Sequence, residues 1–128
     1  MGFTFSERSL RNLQGVKPQM QKLAKDALAI SEVDFMITEG LRTSERQKEL
    51  VAKGLSKTMK SKHITGDAID VVPYPVDWND WKKFQKINEA FKAAATASGV
   101  RYRWGGDWNS NGSSKDERFL DGPHFELV

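Results

Sequence analysis

The chain has 128 residues, 38% of them hydrophobic, which suffices for one buried core but not for a catalytic domain joined to an independent targeting module. It has no cysteine, so disulfide frameworks and thiolate metal sites are excluded, and any metal chemistry must use nitrogen and oxygen. A formal net charge of +3 and a pI near 9.2 favour anionic surfaces, among them nucleic acid, teichoic acid, lipopolysaccharide and the carboxylates of peptidoglycan, without choosing between them.

The first six residues lead into a charged helix without a long apolar run, so neither a secretory signal nor a membrane span is expected, and the product is read as soluble and cytoplasmic. Over residues 7–30, Leu10, Leu13, Met20, Leu23, Ala27 and Leu28 recur at helical spacing, and Thr4 with Glu7 has the form of a capping box. Pro18 cannot sit in a helix interior, so two helical pieces or a kink near Val16-Lys17 is predicted. Residues 33–38 are short, partly β-branched and bounded by Gly40, which predicts a buried strand. A helix is predicted over about 44–53, with Thr43 as N-cap and Gly54 just past its end. The lysine-rich stretch 56–62 reads as a loop that delivers His63. Residues 68–72 form a strand ended by Pro73 and Pro75. A long helix follows over about 78–98, with Asp77 as N-cap, a Trp81, Phe84, Ile87, Phe91, Ala94 stripe and Gly99 as terminator. Short strands near 100–104 and 124–128 flank a polar, glycine-rich loop.

The only two histidines stand beside carboxylates, in the segments Ser61-Lys62-His63-Ile64-Thr65-Gly66-Asp67-Ala68-Ile69-Asp70 and Asp121-Gly122-Pro123-His124-Phe125-Glu126-Leu127-Val128. Imidazole nitrogens and one aspartate oxygen suit a zinc ion, and three protein ligands leave a position where a water can be activated. Asp70 lies in a run of Ala, Ile and Val, where an unpaired charge is costly. Either a metal cation or a lysine or arginine partner removes that cost. Strand alternation places His124 and Glu126 on one face, with Phe125 and Leu127 packing the other. Asp121 would not share the His124 face in a regular strand. Gly122-Pro123 breaks that regularity and allows the Asp121 carboxylate to turn toward a water as general base; otherwise Asp121 simply opens a turn.

These motifs, together with Thr38-Glu39-Gly40-Leu41-Arg42-Thr43, Gln47 and Gly105-Gly106-Asp107-Trp108, resemble the zinc peptidases related to D-alanyl-D-alanine carboxypeptidases and dipeptidases. More closely they resemble the phage endolysins of that superfamily that are L-alanyl-D-glutamate peptidases. The resemblance implies an α+β fold, with a small antiparallel sheet that carries the zinc site and packs against several helices, as a single catalytic domain over 1–128. It implies His63, Asp70 and His124 as zinc ligands, Asp121 as general base where many relatives have glutamate, and Arg42 as the group that polarises the substrate or its oxyanion. On the residues alone Arg42 is a surface arginine before a helix. Ser61 either orients His63 or contacts substrate, and Glu126 either supports a ligand or stands as an exposed strand residue. The implied mechanism is direct attack of water on an amide without a covalent enzyme intermediate.

Asp107-Trp108-Asn109-Ser110-Asn111-Gly112 has the alternate oxygens and turn glycine of the first half of a calcium loop. Arg118 stands where the closing acid belongs, with Asp116 and Glu117 one or two places early, so regulatory calcium competes with an ordinary polar loop. The resulting expectation is a monomeric endolysin that cuts the peptidoglycan stem peptide between L-alanine and D-glutamate. It would have no wall-binding module or membrane anchor, and a holin would release it from the host cytoplasm to the periplasm. The rivals are a D-alanyl-D-alanine carboxypeptidase or dipeptidase, and a non-catalytic metal-bearing binding protein. No dense basic helix supports a nucleic-acid binder.

Overall fold

Pro18 divides the N-terminal helical stretch in two, as its missing N–H and locked φ require. The computed structural model describes residues 3–54, 62–105 and 122–128. Helix α1 spans Glu7–Leu13 and α2 spans Pro18–Ile30, with Pro18 in the first turn of α2, where its N–H is not needed. The cap of α1 is Ser6 rather than the Thr4–Glu7 box expected from sequence. The backbone is still extended at Ser6 and turns helical at Glu7, so the Ser6 hydroxyl accepts from the Ser9 N–H at 3.3 Å. Leu10, counted above in the apolar stripe, is 43% exposed.

The remaining elements are β1 (Phe35–Glu39), α3 (Ser44–Ala52), β2 (Ala68–Pro73), α4 (Trp81–Ser98), β3 (Tyr102–Trp104) and β4 (His124–Leu127). The four strands form one antiparallel sheet in the order β1-β2-β4-β3, and α1, α2 and α4 share its hydrophobic core, as the α+β reading expected. Thr43 caps α3 as predicted, its hydroxyl accepting from the Arg46 N–H. Helix α4 begins three residues later than predicted, because Asp77 accepts from the Asn79 N–H in a preceding turn, and Asp80 makes the cap by accepting from Lys83. It ends at Gly99, in the left-handed conformation.

Alternation along the strands separates core from chemistry. Phe125 of β4 is opposite Ile69 of β2 and stacks on Phe91 of α4 with ring centroids 4.2 Å apart, so this sheet face is the packed one. Strand β1 is an edge, and α1 closes it: the Ile37 N–H donates to Ser9 Oγ at 3.1 Å, and Asn12 Nδ2 donates to the Ile37 carbonyl at 2.7 Å. Those bonds explain a fully buried Ser9 and remove an unpaired strand edge.

At the end of β1 the chain passes so close to α1 that a Cβ on Gly40 would lie 1.9 Å from the Asn12 carbonyl oxygen and 2.8 Å from Val16 Cγ2. Neither neighbour is a flexible side-chain end. Gly40→Ala is therefore expected to cost about 2 kcal/mol or more through forced backbone displacement, read as a lower denaturant midpoint with an unchanged slope. An unchanged midpoint would show that α1 moves aside freely. Among the described residues no helix is long and apolar enough to cross a membrane.

Candidate metal centre

The strand register that sends Phe125 inward puts the charged residues on the opposite face. Asp70 of β2 lies directly across from His124 of β4, and Ala68 from Glu126. Strand β3 adds Arg103 opposite Glu126, and β1 adds Glu39 opposite Asp70 after a register shift. His63 arrives from the turn before β2 and is pinned by backbone contacts. The Arg42 N–H donates to its carbonyl at 2.8 Å, and the Lys17 N–H donates to the carbonyl of Gly66 in the same turn at 2.8 Å.

The hydrogen bonds fix which nitrogen of each ring can bind a cation. His63 Nδ1 lies 2.9 Å from the Gly40 carbonyl oxygen, which can only accept, so Nδ1 carries the proton and Nε2 holds the lone pair. His124 Nε2 lies 2.8 Å from the Glu126 carboxylate, so there Nδ1 holds the lone pair. Those two lone-pair nitrogens are 3.3 and 3.5 Å from Asp70 Oδ1, and the three groups offer ligand atoms within 4.8 Å of one another. With neutral rings, two lone pairs and a carboxylate oxygen face one point, an arrangement that a cation between them satisfies. The donor set therefore fits a divalent metal, with both rings oriented from behind by oxygen acceptors. The side chains of Asp70 and His124 keep 23% and 12% of their surface exposed while His63 is buried, so the site opens to solvent on one side.

A family model described as phage L-alanyl-D-glutamate peptidase matches residues 1–128. The chain belongs to that family. It is 43% identical over 137 residues to the L-alanyl-D-glutamate peptidase of Escherichia phage T5, covering 100% of both chains. It is 31% identical over 126 residues to the L-alanyl-D-glutamate peptidase of Listeria phage A118, an alignment that spans 96% of this chain and 42% of that protein. Its fold matches the crystal structure of the Serratia marcescens L-Ala D-Glu endopeptidase ChiX with a TM-score of 0.85 and 39% identity, over 99% of this chain and 91% of that one.

In this family member Arg42 is buried rather than a surface residue. Its guanidinium donates to both Glu39 carboxylate oxygens at 2.7 Å and to Gln47 Oε1 at 2.6 Å, and lies 4.0 Å from Asp70 Oδ2. Glu126 is likewise buried, with Oε1 on His124 and Oε2 accepting from Arg103 at 2.8 Å and paired with Lys62 at 3.3 Å, which settles against an exposed strand residue. Sequence reasoning named Glu39 and Gln47 only as parts of a motif, and gave Lys62 and Arg103 no role. The available signal was Arg103, a charge between two aromatics in a short strand. Asp121, Ser61 and the calcium candidates Asp107, Asn109, Asn111, Asp116 and Glu117 lie outside the described residues.

The carboxylates of buried Glu126 and half-buried Asp70 make the metal-free protein sensitive to acid. Burial pushes Glu126 up, but the bonds from His124 and Arg103 and the charge of Lys62 outweigh it and hold the carboxyl at about 2, below its ordinary 4.5. Burial also pushes Asp70 up, and the interactions with His124 and His63 outweigh it, holding the carboxyl well below the carboxylate range. A depressed folded value contributes stability above the unfolded value and loses it as pH falls toward the folded one. Chelator-treated protein should therefore lose unfolding free energy between about pH 4.5 and about pH 2, and Glu126→Gln should flatten part of that slope. Parallel curves for variant and wild type would remove Glu126 from this account.

Proposed function

We propose that the chain is a zinc-dependent peptidoglycan endopeptidase that hydrolyses the L-alanyl-D-glutamate bond of the stem peptide during phage-induced host lysis. The observation that carries this reading is the convergence of His63 Nε2, Asp70 Oδ1 and His124 Nδ1 in a chain of this family. These three residues hold the zinc; two imidazoles and a carboxylate are a set that leaves the ion an open position. Zinc bound there supplies a water of near-neutral pKa and polarisation of the scissile carbonyl.

The chain's own residues do the rest. Asp121 takes the proton of the attacking water and returns it to the leaving amine of D-glutamate. Its support is the anchored backbone that follows it: the Gly122 carbonyl accepts from Trp104 Nε1 at 2.8 Å, and a Cβ on Gly122 would meet Trp81 at 3.1 Å and Phe84 at 3.3 Å. Arg42 stabilises the charge that develops on the carbonyl oxygen, and Glu39 and Gln47 hold its guanidinium in place before the reaction begins. Ser61 orients His63 or contacts substrate.

The protein acts as a monomer, waits in the host cytoplasm, and reaches the wall through holin lesions. Asp107, Asn109 and Asn111, with Asp116 or Glu117, are the candidate ligands of a weakly bound regulatory calcium, the alternative for this segment being an ordinary polar loop. Calorimetry with zinc already bound tests that loop. The bond itself is tested by mass spectrometry of fragments released from purified peptidoglycan, where new N-terminal D-glutamate is the expected product. Release of free D-alanine alone would instead identify a D-alanyl-D-alanine carboxypeptidase.

A further inference from the structure

Asp70 and His124 are joined directly by the β2–β4 ladder, in which they oppose each other. His63 precedes the sheet, so its separation from them depends on how its turn, residues 62–67, is fastened to the strands. The turn closes on itself where the Lys62 carbonyl accepts from the Asp67 N–H at 2.9 Å and from Thr65 Oγ1 at 3.1 Å. Both of its ends reach β4. At the Asp67 end the ladder simply continues, as the Leu127 N–H donates to the Asp67 carbonyl at 2.7 Å. At the other end a side chain makes the connection: Lys62 Nζ donates to the Leu127 carbonyl at 2.5 Å and lies 3.3 Å from Glu126 Oε2.

Lys62 therefore starts one residue from one histidine and ends on the carboxylate that orients the other, since Glu126 Oε1 is committed to His124 Nε2. The Glu126 side chain keeps only 7% of its surface, so the ammonium meets a carboxylate largely withdrawn from water, where a charge-assisted bond is strongest. Other anchors of the turn run elsewhere. The Arg42 N–H and the Gly40 carbonyl hold His63 from the end of β1, and the Lys17 N–H holds the Gly66 carbonyl from the start of α2. Lys17 Nζ adds an ion pair to Asp67 at 3.7 Å, again from the α2 side rather than from β4.

Resting on the zinc reading above, an ion held by His63 and His124 bridges the same two segments that Lys62 bridges. Two links between one pair of segments reinforce each other, because each lowers the cost of ordering that the other must meet. We propose that Lys62 is a positioning residue of the metal centre: its ammonium locks the His63 turn onto β4, so that the two histidines stay at ligand separation and zinc is retained. In this role Lys62 touches neither substrate nor metal. It acts through the turn that carries His63 and through Glu126 behind His124.

The test measures zinc affinity by competition with a coloured chelator, a readout independent of wall hydrolysis. Lys62→Met is expected to bind zinc about tenfold more weakly than wild type, the lower end of the loss when a partner behind a metal ligand is removed. Lys62→Arg should restore most of the affinity, because a guanidinium can donate to a carbonyl and a carboxylate together. Lys17→Met takes a cation from the same turn without releasing β4, and should bind zinc as wild type does. Reciprocity gives a second measurement that needs no variant: zinc loading of wild type should slow hydrogen exchange at the Asp67 and Leu127 amides more than at amides of α2. Should Lys62→Met fold poorly by circular dichroism, this exchange comparison decides. Wild-type affinity in folded Lys62→Met, an equal loss in Lys17→Met, or exchange at Asp67 and Leu127 slowed no more than in α2 would overturn the lock while leaving zinc binding intact. Failure of wild type to take up zinc would overturn the zinc reading itself.

Discussion

His63→Ala and His124→Ala are each expected to lose stoichiometric zinc and about a thousandfold or more in wall hydrolysis. The estimate follows from the several kcal/mol of transition-state stabilisation a catalytic metal supplies, at about tenfold in rate for each 1.4 kcal/mol. Both rings are held by acceptors on their far nitrogens, the Gly40 carbonyl at 2.9 Å and the Glu126 carboxylate at 2.8 Å. Their lone pairs are thus aimed before any metal arrives, and alanine removes a preset donor rather than a mobile one. Metal analysis of purified protein, with circular dichroism to establish that each variant is folded, makes the measurement. Unchanged zinc content in both folded variants would reject the ligand assignment. Glu126→Gln is a milder companion, expected to weaken zinc binding by about ten- to a hundredfold through the orientation of His124.

Asp121→Asn should keep zinc and fold and lose on the order of a hundredfold or more in activity, since an amide cannot take the water proton. The expectation rests on the position of Asp121 three residues before His124, next to a Gly122 anchored by Trp104 Nε1 and packed against Trp81 and Phe84. Retained zinc distinguishes this variant from the histidine ones, so the pair of experiments separates metal binding from proton transfer. Near-normal hydrolysis by a folded, zinc-loaded Asp121→Asn protein would take Asp121 out of the mechanism.

Local chemistry made much of this protein legible from its sequence. Pro18 breaks the first helix, Thr43 caps α3 and Gly99 ends α4, because each effect depends on the residue's own φ, its missing N–H or its nearest side-chain oxygen. Alternation of period two placed His124 and Glu126 on one face. Two histidines beside acids, in a chain without cysteine, named the metal candidates. The same reasoning misjudged the Thr4 and Asp77 caps, since neighbouring serine and aspartate residues offered equal chemistry and only the path of the entering chain chose between them.

Tertiary structure decided what depends on partners distant in sequence. No local rule says that Asp70 and His124 oppose each other, that the Gly40 carbonyl selects the His63 tautomer, or that Arg42 is buried between Glu39 and Gln47. Glu126 illustrates the division most clearly. Its strand face followed from spacing alone, whereas its burial and its three partners Lys62, Arg103 and His124 follow from two strand pairings and a turn that meet only in the folded chain. Sequence determined which groups carry the chemistry, because side-chain type and local geometry are properties of a few adjacent residues. The assembled sheet decided which charges they face, because electrostatic balance depends on distances that only the packed core sets.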